Sequence, residues 1–453
     1  MALAALGGEK RGDRAMRIGW KLALVGLLLL LLLVPLMMLS GLVYERQQRG
    51  QEVAAEIARA TAGEQALVGP LLLVEAEHRT EHRRVVNRDG HMSQETEETV
   101  LPLHYLVAPE QLAVAGSLRS ERRGRSLFSV PVFHTSQTIK GRFRHQPPPV
   151  DLGELQPKRA WLVLGLGDNR GVRRINLELA GKAAAVEPGS RVAWLGEGLH
   201  AAVPLAALDG DLPFSVDLDL TGTGSLAWVP VGGETSVSLD GDWPHPGFEG
   251  HHLPDEREVG EAGFSARWAV SRLSSRVSQA LAACAPSDGR CEGVYEGAFG
   301  LRLVEPVDRY LMTDRAIKYA LLFLGLVFGA VFLVEALASR PVHFVQYGLT
   351  GLAMAMFYLL LLSLSEHIGF GPAYAAAALA CSGLLGYYLA GVLGGRGRGL
   401  GFGLGLLGLY GLLYLLLRSE DHALLVGSGA LFAALAAVMA LTRRVDWHKL
   451  GKA

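Results

Sequence analysis

The chain has 453 residues, which is too long for one ordinary core, and half of them are hydrophobic. Its formal net charge is −1, and it has no basic patch interleaved with aromatic residues, so the composition argues against a nucleic-acid-binding protein. The apolar residues are concentrated at the N-terminus and in the last third of the chain. This distribution indicates a membrane protein with a polar segment between its apolar parts.

The first apolar run is Leu22–Val43, and it follows a polar tail with four basic residues. The run is longer than the apolar part of an ordinary signal peptide, and residues 37–40 (MMLS) offer no small-x-small cleavage site. We therefore predict a cytoplasmic tail over 1–17 and an uncleaved signal anchor over 18–43, with its basic flank on the cytoplasmic side.

The segment 44–314 is predicted to be an exported, β-rich (α+β) domain. It begins with an amphipathic helix that ends at Gly63, because apolar residues recur there at helical spacing. From Leu67 the apolar period changes to two, and Phe214–Leu220 alternates strictly. Several such short runs between turn sequences are typical of a mostly antiparallel, sandwich-like domain.

Five further apolar runs follow this domain. They are predicted as transmembrane helices over 319–338, 344–364, 372–393, 400–417 and 423–441, followed by a cytoplasmic tail over 442–453. Arginines and lysines alternate with carboxylates from one connection to the next, with Arg418 as the exception, and the positive-inside rule then places both termini in the cytoplasm. The predicted fold is a multi-pass α-helical membrane protein of six helices, with the β-rich domain, in the periplasm, between the first and the second.

Acidic residues within or beside these runs are candidate functional residues. Glu335 follows sixteen uncharged residues, and we expect it to reach the membrane interface or to pair with Arg340 or His343; a proton or substrate site is the alternative. Glu366 and His367, and the triplet Glu420, Asp421 and His422, lie at the predicted outer helix ends. They could converge on a metal or a proton, although solvated loops are the commoner outcome.

The predicted exported domain contains further candidates. His245, His251 and His252 are residue types that bind zinc, but they lack the spacing of established metal sites, so a rigid surface loop is preferred. Cys284 and Cys291 bracket a turn and are expected to form a disulfide outside the cytoplasm.

Glycine patterns in the apolar runs predict packing and no chemistry. A formal GxGxxG string over 403–408 lies inside an apolar run, so a dinucleotide site is excluded, and Gly401/Gly405 and Gly325/Gly329 are GxxxG pairs that favour close helix contacts. There is no GxSxG or GxxxxGK[ST] motif. We predict no catalytic residue, cofactor or metal, and no enzyme.

Long strings of the sequence, in this order, resemble the CreD family of inner-membrane, cell-envelope-integrity proteins. They include GLVYER at 41–46, VPVF at 130–133, DWPHPGF at 242–248, LPDERE at 253–258, LVEPVDRY at 303–310 and TRRVDW at 442–447. The resemblance covers nearly the whole chain. The family has no established catalytic residues, so none is carried over.

The resemblance implies an inner-membrane protein that acts in the envelope stress response under the Cre two-component system. We expect its exported domain to contact envelope components or other membrane proteins, whose identity is open, while the helices hold it in the lipid bilayer. The alternative is a transporter or channel-like protein that uses Glu335 and the carboxylates and histidines at the outer helix ends.

Overall fold

The structure is a computed structural model that describes residues 5–88, 91–148, 154–286, 289–305, 309–338, 342–392, 394–418 and 423–443. The chain divides into two compact units. The helical unit consists of Met1–Gln51 and Val307–Ala453, and the β-rich unit is Glu52–Pro306.

The first helix, α1, runs without a break from Ala5 to Ala60 and contains Pro35. The sequence predicted a signal anchor followed by an amphipathic helix that ends at Gly63; the structure has one helix over both. Its end is marked by Thr61, whose N–H donates to the carbonyl of Ile57 at 2.9 Å. A proline inside an apolar helix is tolerated when neighbouring groups satisfy the freed carbonyl.

The β-rich unit contains sixteen described strands and two short helices, α2 (Val277–Ala283) and α3 (Glu292–Tyr295). The strands are β1 (Gln65–Arg88), β2 (His91–Val107), β3 (Gln111–Arg125), β4 (Phe128–Arg144), β5 (Glu154–Gly165), β6 (Val172–Leu179), β7 (Lys182–Ala184), β8 (Glu187–Pro188), β9 (Gly198–Val203), β10 (Asp211–Thr223), β11 (Ser225–Val229), β12 (Glu234–Gly241), β13 (Pro246–Gly250), β14 (Glu256–Gly260), β15 (Gly263–Ser271) and β16 (Phe299–Leu303).

These strands form two eight-stranded sheets. The first has the order β13-β16-β11-β1-β5-β9-β8, with β2 also paired to β1, and the second has the order β14-β15-β12-β3-β4-β10-β6-β7. Among the described pairs, β1 with β11 and β3 with β12 are parallel and the others are antiparallel. The prediction of a large β-rich domain is therefore confirmed.

One hydrophobic core joins the two sheets. It contains Leu71 and Val163 from the first sheet and Phe143 and Val216 from the second, all nearly inaccessible to solvent. The strict alternation of β10 is the reason that its apolar face is buried while its polar face is exposed. The sheets also share a buried hydrogen bond, because Trp228 Nε1 donates to Gln137 Oε1 at 3.0 Å. The second sheet thus covers the first, as in a sandwich.

The helical unit contains six further described helices. They are α4 (Arg309–Lys318), α5 (Ala320–Ala338), α6 (Phe344–Ile368), α7 (Phe370–Val392), α8 (Arg396–Arg418) and α9 (Ala423–Thr442). Within the described residues, four helices are long and apolar enough to cross a membrane: α6, α7, α8 and Ala23–Ala60 of α1. The pair α4 and α5 makes a fifth candidate if its 46° bend lies within one span.

The helices α7 and α8 cross at glycines. A Cβ atom at Gly399 would lie 2.4 Å from Ala390 Cβ and 2.5 Å from the carbonyl oxygen of Gly386, and one at Gly403 would lie 3.1 Å from the carbonyl oxygen of Ser382. The expectation for the other GxxxG pairs is wrong for these helices. Among the described residues, Cβ atoms at Gly401 and Gly405, and likewise at Gly325 and Gly329, would meet nothing within 4 Å.

Candidate functional site

The carboxylate of Glu335 is held by residues from two other helices. Lys21 of α1 forms a salt bridge to Oε1, and the Tyr347 hydroxyl of α6 donates to Oε2 at 2.9 Å. Lys21 Nζ also donates to the carbonyl of Val342 at 2.8 Å. All these groups lie in the helical unit. Glu335 and Lys21 form a partly buried ion pair, and the Tyr347 hydroxyl is an additional donor; we call these residues the Glu335 cluster.

Two partners were expected for Glu335. The described contacts do not pair it with His343, and Arg340 lies outside the described part of the chain. His343 instead caps the N-terminus of α6. Its side chain accepts from Val345 N at 3.3 Å, while its own N–H donates to Gln346 Oε1 at 2.9 Å. Arg340 is not among the described residues. Lys21 is 314 positions away in sequence, and local spacing therefore could not reveal it.

A second buried carboxylate, Glu366, lies at the other end of α6. Its Oε1 accepts from the Tyr310 hydroxyl at 3.1 Å and lies 3.5 Å from Arg46 Nε, and only 7% of its side chain is exposed. Arg309 Nη1 donates to the backbone carbonyl of Glu366 at 3.1 Å. We call these residues the Glu366 cluster.

The two clusters bracket the apolar part of α1. Lys21 and Arg46 are 25 residues apart, so they are separated by about 37 Å along the helix. This distance exceeds the hydrocarbon thickness of about 30 Å, and each cluster can therefore lie near one membrane surface. Each acid pairs with a basic residue of α1, so the two pairs attach α1 to the later helices. Both pairs are only partly buried, since 25% of the Lys21 side chain and 41% of the Arg46 side chain are exposed, so removing one partner is expected to cost less than the roughly 3–5 kcal/mol of a fully buried pair.

The remaining acid and histidine candidates at helix ends do not join these clusters in the described structure. The His367 ring is exposed, and its Nδ1 lies 3.1 Å from the carbonyl oxygen of Ser363. Glu420, Asp421 and His422 lie outside the described residues. The predicted convergence of Glu366 and His367 with that triplet thus stays a prediction.

The three candidate histidines of the β-rich unit, His245, His251 and His252, do not form a metal cluster among the described residues. The carbonyl of His245 accepts from Trp243 Nε1 at 3.1 Å and from Val304 N at 3.3 Å, so this residue acts through its backbone. The His251 N–H donates to the Ala298 carbonyl at 3.2 Å. His252 packs edge-on against Phe299, and burial lowers its pKa, with a further contribution from His251. Among the described residues, no three His, Cys, Asp or Glu side chains are grouped so that they could hold a metal.

The cysteines of the β-rich unit are paired. A disulfide joins Cys284 and Cys291, whose Cα atoms are 6.0 Å apart, and it closes the segment between α2 and α3. This segment packs onto the rest of the unit, because Ala193 N donates to the carbonyl of Pro286 at 2.9 Å.

Sequence reasoning missed a basic cluster at the end of β3. Arg122 forms a 3.0 Å salt bridge to Glu305, Arg123 Nη1 donates to Thr61 Oγ1 at 3.2 Å, and Arg125 forms a salt bridge to Glu56. Thr61 follows α1, and Glu305 follows β16. We call Arg122, Arg123 and Arg125 the connector cluster, because it contacts the first and the last segments of the β-rich unit.

Trp243 strengthens the contact with the last of these segments. Its Nε1 donates to the carbonyls of His245 and Val304, each at 3.1 Å, and the Arg122 guanidinium lies 5.6 Å from its ring centre. The signal for this site was visible in the sequence as the run Arg122-Arg123-Gly124-Arg125. Its acidic partners could not be identified, because they lie far away in the chain.

These observations define a class: a membrane protein that combines several apolar helices, joined by partly buried ion pairs, with one large β-rich unit. The family model described as "Inner membrane protein CreD" matches residues 17–448. The chain is 36% identical over 441 residues to "Inner membrane protein CreD" of Escherichia coli (strain K12), an alignment that covers 95% of this chain and 93% of that protein. The chain belongs to the CreD family of bacterial inner membrane proteins.

Comparison with solved structures gives no functional argument. The structure of native yeast LTA4 hydrolase aligns with 62% of this chain and 52% of its own, at 7% sequence identity and a TM-score of 0.20. A likeness of this size does not indicate a shared fold.

Proposed function

We propose that this protein contributes to the integrity of the cell envelope from the inner membrane, and that its β-rich unit lies in the periplasm and binds envelope components. The observation that carries the proposal is the placement of the β-rich unit between α1 and the later apolar helices in a CreD-family chain. A unit of this size, fixed to the membrane at both ends, is suited to contact material beside the membrane. The absence of catalytic motifs in the sequence favours binding over catalysis.

The proposed layout has six membrane spans and both termini in the cytoplasm. Its support is the set of four candidate spans, the bent pair of α4 and α5, and α9, a helix of 20 residues. The Glu335 and Glu366 clusters suit this layout, because the separation of about 37 Å between Lys21 and Arg46 along α1 allows the two clusters to lie near opposite membrane surfaces.

The second candidate function is transport, and the Glu335 cluster is the observation that favours it. A carboxylate paired with a lysine and a tyrosine within apolar helices is the kind of group that proton-coupled transporters use. In that function Glu335 and Glu366 change their protonation or partners during the cycle. In the envelope function, Glu335 and Glu366 only hold α1 against the later helices.

One complementation experiment separates the two functions. The gene is deleted from its bacterium, and growth is measured in the presence of envelope-targeting agents after re-expression of the wild-type chain, Glu335→Gln or Glu366→Gln. Glu45→Gln is the matched control, because Glu45 is an exposed acid on α1. Protein levels in the membrane are measured in every strain, since both cluster variants are expected to lose stability.

The envelope proposal predicts that the deletion sensitises the cells and that the wild-type chain restores growth. It also predicts that both cluster variants restore growth when their levels match the wild type. The transport proposal predicts that both cluster variants fail to restore growth at wild-type protein levels, whereas Glu45→Gln restores it. A deletion strain as resistant as its parent would contradict the envelope proposal.

A further inference from the structure

A long cleft lies between α7 and α8 in the helical unit. Its volume is about 1080 Å³, and glycine, alanine, leucine and valine make up most of its lining. It follows α8 from Arg396 to Leu407, which is about 16 Å of helix. One leaflet of the hydrocarbon core is about 15 Å deep, half of about 30 Å, so the cleft matches the length of the acyl region on one side of a membrane.

A positive charge lies at one end of this cleft. Arg396 is the first residue of α8, lines the cleft and is exposed. No salt bridge from Arg396 to a carboxylate occurs within the described part of the chain. The backbone N–H groups that begin α8 add a partial positive charge at the same end. Arginines between membrane helices at a membrane surface favour anionic lipid headgroups.

An unpartnered hydroxyl lies beside the same cleft. Ser382 of α7 lines it and is only 5% exposed, and its Oγ has no hydrogen-bond partner among the described residues. A serine in a helix ordinarily bonds to a carbonyl of its own preceding turn. A buried hydroxyl without a partner is unfavourable, and because the Oγ atom is enclosed by protein atoms, it lies beside the cleft and does not itself contact a bound lipid.

The glycines of the cleft provide room for an acyl chain. A Cβ atom at Gly383 or at Gly391 would meet nothing within 4 Å, although both residues line the cleft. The crossing glycines Gly386, Gly399 and Gly403 hold α7 and α8 close together beside this space. The open space for an acyl chain therefore lies beside the close contact between α7 and α8.

We propose that the cleft between α7 and α8 binds an anionic glycerophospholipid from the leaflet on the side of Arg396. The phosphate lies at Arg396 and the first turn of α8, and one acyl chain lies along Gly391 and Gly383. An uncharged lipid would leave Arg396 without its counter-ion. A free phosphate would leave the apolar length of the cleft unfilled.

Thermal unfolding of the purified full chain in a neutral detergent tests this proposal. Phosphatidylglycerol, phosphatidylcholine and inorganic phosphate are titrated separately, and the apparent affinity is taken from the rise in melting temperature. Phosphatidylglycerol is expected to raise the melting temperature at the lowest concentration, phosphatidylcholine only at higher concentration, and inorganic phosphate not at all. Equal responses to the two lipids, or a full response to inorganic phosphate, would overturn the proposal.

Variants locate the site. Arg396→Gln is expected to weaken the apparent affinity for phosphatidylglycerol about fivefold, and Arg418→Gln, at the other end of α8, leaves it unchanged. The Cβ atoms of Gly383→Leu and Gly391→Leu enter open space, and their larger side chains are expected to occupy the cleft and abolish the preference for phosphatidylglycerol. Gly405→Leu, which lies in open space and outside the cleft lining, is their control. A wild-type response from Arg396→Gln and from both occluding variants would refute the assignment.

Discussion

Single residues explain how the β-rich unit begins. Asp168 precedes a short turn before β6, and its carboxylate accepts from Gly63 N at 2.9 Å, just before β1. The same carboxylate accepts from Arg170 Nε at 2.9 Å and from Arg170 Nη2 at 2.6 Å. These donors favour the charged form, so the bond with Arg170, followed by the backbone donors, holds the pKa of Asp168 below its usual 3.8.

This pKa shift predicts a pH-dependent contribution to stability. The contribution of a carboxylate with a lowered pKa is complete above the unfolded-state pKa near 4 and is lost as the pH falls through the folded-state value. Asp168→Asn should therefore lower the free energy of unfolding by about 1.5–3 kcal/mol at pH 7, and the difference from wild type should shrink below about pH 4. Urea unfolding followed by tryptophan fluorescence measures it, since Trp161, Trp194 and Trp228 lie in this unit.

The matched control is Asp217→Asn on β10. Asp217 accepts from Thr138 Oγ1 at 2.7 Å, but it lies on the exposed face of the sheet. We expect this change to cost well under 1 kcal/mol at either pH. A pH-independent effect of Asp168→Asn, or an equal effect of both variants, would contradict the role assigned to Asp168.

The limits of sequence reasoning at this scale are clear for Glu335. A carboxylate in an apolar run is visible in the sequence, because its desolvation is costly. Its partner is not visible, because helix packing alone brings Lys21 to it across 314 positions. The connector cluster is a second example. Its three arginines are evident in the sequence, but only the structure shows that they contact Glu56, Thr61 and Glu305.

At the scale of elements, α8 shows why a correct motif can be assigned to the wrong face. Glycines occur at 397, 399, 401, 403 and 405, so three GxxxG pairs (397/401, 399/403 and 401/405) on two helix faces fit the sequence equally well. The pair at 399 and 403 faces α7, and the pair at 401 and 405 faces open space. The period of the glycines predicts close packing but cannot choose its direction.

This crossing gives a direct prediction. Gly399→Ala places a Cβ atom 2.4 Å from Ala390 Cβ, so α7 and α8 must separate, at a cost of about 1–3 kcal/mol. Gly401→Ala adds the same methyl group in open space, and the higher helix propensity of alanine makes it neutral or stabilising by up to about 1 kcal/mol. Melting temperatures of the purified chain in one detergent compare the two. If both variants melt at the same temperature, the crossing at Gly399 is wrong.

For the whole molecule, the two major divisions of the chain could be predicted because they depend on local pattern. Apolar runs of about twenty residues and strict alternation such as that of β10 can be recognised without long-range information. The order of strands could not be predicted. The parallel pairs of β1 with β11 and β3 with β12 join strands that are far apart in the chain, and no local rule selects them.

The central claim is that the β-rich unit lies in the periplasm while the cytoplasmic loops carry the arginines. Cysteine labelling in intact cells with a permeabilised outer membrane tests it, using a maleimide that cannot cross the inner membrane. Leu273→Cys is suitable because Leu273 is 98% exposed in the β-rich unit, and Arg398→Cys marks the start of α8. The parent chain is the blank, since Cys284 and Cys291 are joined and Cys381 is buried.

We expect Leu273→Cys to be labelled in intact cells and Arg398→Cys to be labelled only after the inner membrane is disrupted. Labelling of both positions in intact cells, or of neither until disruption, would place the β-rich unit and the start of α8 on the same side of the membrane and would contradict the proposed layout.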